Sequence, residues 1–345
     1  MSDLTPCLGF PLELQQVALK IGCNSIILLT DHHALKGQGS GERMKKELAF
    51  VLSGGGSRGA LQVGALRALL EAGFQPTLVT GTSIGAVNAV FLAIHGYHLE
   101  GVQKLEEAWK ASMNQDLLPA NLWWQIIRTF FRRSPGTAQQ RIREFAVTHG
   151  LTPELRFKDI QDVRLFIVAS DLNSGCQVIL GQDPEEFVLE SMMASIALPP
   201  WILPLEKESR ILLDGGAVSN LPIEAALQQA ATEIIALDLF NPYEIDSSER
   251  GLRPFLWKLS QTVENRQVQL EMELAEARGV MVHRIPLTME QPVSFWDFRH
   301  SAELMDQGYQ IACQTIDSWK TQNPLPRWQR IPLLSKLHSL IQAKR

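Results

Sequence analysis

Cysteine is scarce in this chain, and the few cysteines lie far apart. Cys7, Cys23, Cys176 and Cys313 are the four in 345 residues, and no two of them form a CxxC pair. This spacing indicates neither a zinc site nor a disulfide framework, and it is compatible with a reducing cytosol.

Long apolar runs, an excess of positive charge and a leader-like N-terminus are also missing. The longest apolar stretch, residues 86–94, is about half of the roughly 18–20 residues that a transmembrane helix needs. Residues 1–16 have no basic start and no compact apolar segment, so no signal peptide is predicted. The 32 basic and 37 acidic residues give a net charge of −5, which argues against binding to nucleic acid. We therefore expect a cytoplasmic protein.

The chain does have a globular composition, with 45% hydrophobic and 20% charged residues. Short apolar segments alternate with segments of helical periodicity, beginning with a strand at 48–53 and a helix at 60–73. A second strand at 77–81 and a second helix at 84–96 come next, and later strands are predicted at 164–171, 176–180, 210–214 and 233–239. This alternation predicts an α/β fold with a mostly parallel central sheet and helices on both faces.

The domain organisation is indicated by changes in composition along the chain. Residues 1–43 differ in composition from the rest of the chain and end in a Gly- and Ser-rich stretch at 36–43, which is typical of a flexible linker. We predict an N-terminal extension over 1–43, one α/β domain over 44–320 and a C-terminal tail over 321–345. Within the domain, the stretch 99–160 is mostly helical and is a candidate cap.

A glycine-rich loop, SGGGSRGA at 53–60, joins the first strand to the first helix. Gly54, Gly56 and Gly59 form a formal GxGxxG, but a dinucleotide site also needs an acidic residue at the end of the next strand. That strand ends at Thr82 and Ser83 instead, and the loop lacks the Gly-Lys-Ser/Thr of a P-loop. The amides of such a loop at a helix N-terminus favour an anion or a developing oxyanion. The alternative is a tight turn with no chemical role.

A serine occupies the corner between the second strand and the second helix. The pentapeptide Gly81-Thr82-Ser83-Ile84-Gly85 has the GxSxG pattern of a nucleophile elbow, in which a strained turn exposes the serine hydroxyl. Gly81 and Gly85 leave room for that turn. The sequence therefore predicts Ser83 as a nucleophile.

A serine hydroxyl needs a base to become nucleophilic, and the base is usually histidine. None of the eight histidines follows a predicted strand in a convincing loop, and His283 has the best setting among them. Asp171, Asp214 and Asp238 lie at or near the ends of predicted strands, at the edge where doubly wound sheets bind ligands. Asp214 is the best candidate because two glycines follow it. A Ser–Asp–His triad that uses His283 or His300 remains the alternative.

The motifs SGGGSRG, GTSIG and DGG, in this order, resemble those of the patatin-like phospholipase family of lipid acyl hydrolases. Segments 191–223 and 295–312 are also similar to that family, so the resemblance covers roughly residues 47–319. It implies a patatin-like three-layer sandwich and a Ser–Asp dyad without histidine. Ser83 would attack the ester carbonyl, and Asp214 would take its proton. We expect no metal and no cofactor.

The same resemblance assigns roles to the glycines around this pair. It implies an oxyanion hole made of the amides of Gly54, Gly55 and Gly56. Arg58 and Gly59 would support this loop, or Arg58 would meet a phosphate. Gly215 and Gly216 complete the motif of the base, with Gly216 standing where the family often has alanine.

The predicted function is hydrolysis of acyl esters of phospholipids, lysophospholipids or related lipids through an acyl-enzyme. Two alternatives remain open at this point. The same acyl-serine could pass its acyl group to another acceptor, which would make the protein an acyltransferase. The glycine loop could instead serve a non-enzymatic protein that binds an anion or a nucleotide.

The segment LWWQIIRTFFRR at 122–133 suggests a contact with lipid. At about 100° per residue its aromatic and aliphatic side chains share one face of a helix, and its arginines border the other. We expect peripheral contact with the inner face of the membrane, or a lid over an acyl chain. The alternative is a helix that packs on the cap.

Overall fold

The computed structural model describes residues 46–113, 137–199, 201–240, 252–291 and 293–322. The predicted N-terminal extension, nearly all of the predicted C-terminal tail and the segment 122–133 lie outside these residues. The expectations for them therefore stay predictions. No helix among the described residues combines the length and the apolar character needed to cross a bilayer.

One sheet of eight strands forms the centre of the described structure. The strands are β1 (Leu48–Leu52), β2 (Leu78–Thr82), β3 (Arg164–Asp171), β4 (Gln177–Leu180), β5 (Leu205–Lys207), β6 (Arg210–Asp214), β7 (Glu233–Asp238) and β8 (Met281–Pro286). The helices of the described residues are α1 (Gly59–Glu71), α2 (Ile84–His95), α3 (Leu99–Ser112), α4 (Thr137–Thr148), α5 (Val188–Ser195), α6 (Ile223–Gln228), α7 (Leu252–Ala277) and α8 (Ser301–Gln322).

The strand order is β5-β6-β3-β2-β1-β7-β8, and β4 pairs with β3. The five neighbouring strands from β3 to β8 in this order are parallel to one another. On the other side of β3 the pairing reverses, because β4 and β6 run antiparallel to β3, and β5 runs antiparallel to β6. The sheet is therefore parallel at its centre and antiparallel at one end.

Helices cover both faces of the sheet, because successive side chains of each central strand point to opposite sides. In β1, Phe50 and Leu52 join an apolar cluster with α1, α2, α3, α5 and α8, whereas Ala49 and Val51 join a second cluster with α6 and α7. The predicted three-layer α/β architecture is confirmed. Strands β5 and β8 are not predicted from the sequence: β5 has only three residues, and β8 contains a histidine and an arginine and ends at a proline.

The last helix, α8, is part of the same core because it crosses α1 at very short range. A Cβ at Gly64 of α1 would collide with the carbonyl oxygen of Met305, and a Cβ at Gly308 of α8 would collide with that of Leu61. The two glycines thus let the backbones of the helices touch. This packing places the loop that precedes α8 beside the glycine-rich loop at the start of α1.

Candidate active site

Ser83 is the single residue between the end of β2 and the start of α2. Its backbone has φ 54° and ψ −124°, a conformation that residues with a side chain rarely adopt. The flanking glycines are needed for space, since a Cβ at Gly81 would lie 2.7 Å from the carbonyl oxygen of Gly85. A Cβ at Gly85 would lie 2.6 Å from that of Ser53. The turn is thus tight on both sides of a strained serine.

A second serine fixes this turn from the neighbouring helix. The amide of Ser83 donates to Oγ of Ser195 at 2.9 Å, and this hydroxyl donates to the carbonyl oxygen of Val168 at 2.6 Å. Ser195 is the last residue of α5 and is fully buried. Sequence reasoning missed it, because a serine at the end of an apolar helix has no pattern that distinguishes it.

The side chains of Ser83 and Asp214 are hydrogen-bonded to each other. Oγ of Ser83 donates to Oδ2 of Asp214 at 2.6 Å, and the amide of Gly216 donates to Oδ1 at 2.8 Å. Both residues are buried, at 7% exposure each. A serine in a strained turn beside a buried carboxylate is an arrangement in which the carboxylate can take the hydroxyl proton.

Burial adjusts the basicity of Asp214. It raises the pKa of this carboxyl from 3.8 to about 6, although the hydrogen bonds from Ser83 and Gly216 act in the opposite direction. A base is most effective when its pKa lies near the working pH. The position of Asp214 thus makes it a better base than a free aspartate while leaving it ionised at neutral pH.

The strand that carries Asp214 to the position beside Ser83 runs in a direction that differs from the expected one. The sequence suggested the carboxyl end of a parallel strand, but β6 runs antiparallel to β3, with Asp214 paired to Ala169. The strand begins beyond the end of β3 and runs back toward it. Asp214, its last residue, is thereby level with the end of β2, where Thr82 is paired to Val168 of β3.

The three glycines of the loop do not play equivalent parts. The amide of Gly54 donates to the carbonyl oxygen of Asn220 at 3.0 Å and is not available to an oxyanion, which corrects the expectation for this residue. Among the described residues, the amides of Gly55 and Gly56 have no acceptor. Gly56 has φ +60°, and a Cβ there would lie 2.7 Å from the ring of Phe295.

The side chain of Arg58 points into the protein and stabilises this loop through hydrogen bonds. Its Nε donates to the carbonyl oxygen of Gly55 at 3.1 Å, and its Nη1 donates to that of Leu239 at 3.1 Å. The residue is only 5% exposed, which favours support of the loop over contact with a phosphate. Gly59 lets α1 start close to α2, because a Cβ there would lie 2.5 Å from Cγ1 of Ile84.

A buried chain of amide side chains connects the glycine loop to three helices. Nε2 of Gln62 donates to the carbonyl oxygen of Ser53 at 2.8 Å, and Nδ2 of Asn88 donates to Oε1 of Gln62 at 3.0 Å. Nε1 of Trp109 donates to Oδ1 of Asn88 at 2.9 Å. Nδ2 of Asn88 also donates to the carbonyl oxygen of Gly59 at 3.1 Å. The network holds both ends of the loop.

Replacing Asn88 by leucine is expected to destabilise the protein, since it leaves the indole N–H of Trp109 and Oε1 of Gln62 buried without partners. We expect the free energy of unfolding to fall by at least about 2 kcal/mol. This free energy is measured by unfolding the protein in denaturant and monitoring the transition by circular dichroism. Asn265→Leu, on the exposed side of α7, is the control and should change stability little. Equal stability of the two variants would show that the network contributes nothing.

The other acidic and histidine candidates have partners of their own. Oδ2 of Asp171 accepts from Oγ of Ser174 at 2.7 Å in the turn after β3. Oδ2 of Asp238 accepts from Nε of Arg284 at 2.7 Å, and burial raises the pKa of this carboxyl. His283 bonds Glu233 at the start of β7, and His300 is exposed beside Glu303. None of the histidines within the described ranges bonds Ser83 or Asp214.

A comparison with known sequences identifies the family of this chain. The sequence model of the family described as Patatin-like phospholipase matches residues 50–227, more than half of the chain, and this range includes Ser83 and Asp214. The protein belongs to the patatin-like phospholipase family.

Similar curated proteins come from animals and bacteria. The chain is 32% identical over 208 residues to patatin-like phospholipase domain-containing protein 6 of Mus musculus, covering 59% of this chain and 14% of that protein. It is 31% identical over 206 residues to neuropathy target esterase sws of Drosophila melanogaster, with the same coverage of 59% and 14%. It is 28% identical over 221 residues to uncharacterized protein YqhO of Bacillus subtilis, covering 59% of this chain and 74% of that protein. The chain therefore spans only a small part of the length of the two animal relatives.

Proposed function

We propose that this protein is a serine acyl hydrolase that cleaves acyl esters of phospholipids, lysophospholipids or related lipids. The observation that carries the proposal is the 2.6 Å hydrogen bond from Oγ of Ser83 to Oδ2 of Asp214, at a serine whose backbone is strained. The family supports a lipid ester as substrate, and two of the relatives above are named a phospholipase domain protein and an esterase.

In the proposed reaction, Oγ of Ser83 attacks the ester carbonyl carbon while Asp214 accepts the hydroxyl proton. The negative charge that develops on the carbonyl oxygen is stabilised by the amides of Gly55 and Gly56, next to the N-termini of two helices. The tetrahedral species collapses, and the leaving alcohol takes the proton from Asp214. Water then attacks the acyl-serine with Asp214 again as the base, which releases the fatty acid and regenerates the serine.

A fluorophosphonate with an alkyl chain is expected to label the full-length protein at one residue, and peptide mapping by mass spectrometry should place the label on Ser83. The same preparation should release fatty acid from a lysophospholipid. Label on another serine with Ser83 unmodified would contradict the proposed nucleophile. Absence of both labelling and hydrolysis would favour a binding protein. Adding an acceptor alcohol shows whether the acyl group goes to water or to that alcohol, which separates hydrolysis from acyl transfer.

A further inference from the structure

Asn220 is a largely buried residue next to the Ser83–Asp214 pair. The residue is only 8% exposed, and its backbone carbonyl accepts a hydrogen bond from Gly54. Its carboxamide forms no hydrogen bond with any described residue. Its two polar atoms are not fully enclosed, so they stay accessible to water or to a substrate, and a free donor at this position suits a role in catalysis.

The carboxamide of Asn220 lies beside both members of the Ser83–Asp214 pair. A Cβ at Gly54 would lie 2.5 Å from Oδ1 of Asn220 and 3.1 Å from Cβ of Ser83. A Cβ at Gly216 would lie 3.1 Å from Oδ1 of Asn220 and 3.1 Å from Oδ1 of Asp214. A single methyl group at either glycine would therefore touch Asn220 together with one of the two residues. The glycines keep open the space that the carboxamide faces.

The loop that carries Asn220 is held rigidly on both sides of this residue. Oγ1 of Thr82 donates to the carbonyl oxygen of Ser219 at 2.9 Å, and Oγ1 of Thr80 donates to that of Pro222 at 3.0 Å. Both threonines belong to β2, the strand that ends next to Ser83. The strand that presents the nucleophile thus also fixes the position of Asn220, which is the pre-organisation that a catalytic group needs.

We propose that Asn220 is a further catalytic residue, whose carboxamide N–H donates a hydrogen bond to the ester carbonyl oxygen as that oxygen becomes an oxyanion. This inference rests on the function proposed above. The amide of Gly54 is already bonded, so the loop itself offers only Gly55 and Gly56. A neutral donor suits a site that also contains the carboxylate of Asp214, and asparagine is among the side chains that serve in oxyanion holes. Rotation about the last torsion of the side chain turns its nitrogen toward the substrate.

The test replaces Asn220 by leucine, which has a similar size and no hydrogen-bonding group. We expect kcat for a lysophospholipid to fall by about 100-fold or more, with KM changed by less than about threefold, as for loss of one oxyanion donor. The rate of fluorophosphonate labelling at Ser83 should fall with it, because charge also develops on the phosphoryl oxygen. The pH midpoint of kcat/KM, which follows Asp214, should stay where it is. Asn220→Ala is measured beside it, because alanine needs no additional space in the folded protein.

The control is Asn173→Leu in the exposed turn after β3, which should leave kcat unchanged. Wild-type kcat in both Asn220 variants would overturn the inference. A reduced kcat accompanied by a shifted pH midpoint or a lower melting temperature would also overturn it, since it would make Asn220 a positioning or structural residue. Either of these two outcomes would refute the role of Asn220 without refuting the proposed function, provided that the wild-type protein hydrolyses the ester and is labelled at Ser83. Failure of the wild-type protein in those two assays would instead refute the proposed function.

Discussion

Ester hydrolysis is expected to fall by at least about 10⁴-fold when Ser83 is replaced by alanine. The substitution removes the proposed nucleophilic oxygen and would leave only the weak catalysis that an oxyanion site provides by itself. The measurement is kcat/KM on a soluble p-nitrophenyl ester and on a lysophospholipid, together with fluorophosphonate labelling, which should disappear.

Two further variants show that this loss comes from the chemistry and not from the fold. Ser112→Ala removes a buried hydroxyl whose one partner among the described residues is the carbonyl oxygen of Trp109, and it should keep its activity. Ser83→Gly should be inactive and more stable than Ser83→Ala, because glycine adopts φ 54° without strain. Activity of Ser83→Ala close to that of the wild-type protein would place the nucleophile elsewhere.

Replacing Asp214 by asparagine is expected to lower kcat/KM by about 10³-fold or more, which is the contribution of a general base. The amide keeps the shape of the carboxyl, so its Oδ1 can still accept from the amide of Gly216, but it cannot take the serine proton. Circular dichroism should show an unchanged fold. Asp171→Asn, at the end of the neighbouring strand, is the matched control and should retain activity. A loss as large in His283→Ala or His300→Ala would point to a triad.

The pH dependence of the wild-type protein should follow Asp214. Its pKa of about 6 means that the carboxyl is protonated in acid, where it cannot accept a proton, so kcat/KM should fall below about pH 6. A midpoint near the ordinary value of 3.8 would contradict the role of burial.

The contribution of Asp214 to the free energy of unfolding should decrease as the pH rises, whereas its contribution to activity should increase. The folded state holds this proton more tightly than the unfolded chain, so the stabilisation is present below pH 3.8 and is lost as the pH rises through about 6. Each pKa unit corresponds to about 1.4 kcal/mol. Asp214→Asn, which carries no charge, should therefore be as stable as the wild-type protein or more stable at pH 8.

The turn at Ser83 and the glycine loop can be predicted because short stretches of sequence specify them. A serine between two glycines at a strand–helix junction specifies a tight turn, and Ser83 lies in that turn with the bounds of β2 and α2 close to those expected. The glycine loop was recognisable for the same reason. Local patterns of this kind depend on backbone geometry within a few residues.

The local setting of Asp214, with an apolar strand before it and two glycines after it, predicts it as the base. The position of Asp214 beside Ser83 depends instead on the antiparallel direction of β6. The direction of β6 is not encoded in the apolar pattern of RILLD, since parallel and antiparallel strands in a buried sheet can look alike. Only the pairing of β6 with β3 places Asp214 level with the end of β2.

The amino-acid sequence is sufficient to derive the family, the α/β class and the two local turns that carry Ser83 and Asp214. Three features depend on the tertiary structure: Ser83 and Asp214 meet, Ser195 fixes the turn at Ser83, and the amide of Gly54 is bonded to Asn220. The physical reason is separation along the chain: Asp214 lies 131 positions after Ser83, and Ser195 lies 112 positions after it. Contacts over such distances arise from the order and direction of strands, which short-range patterns do not contain.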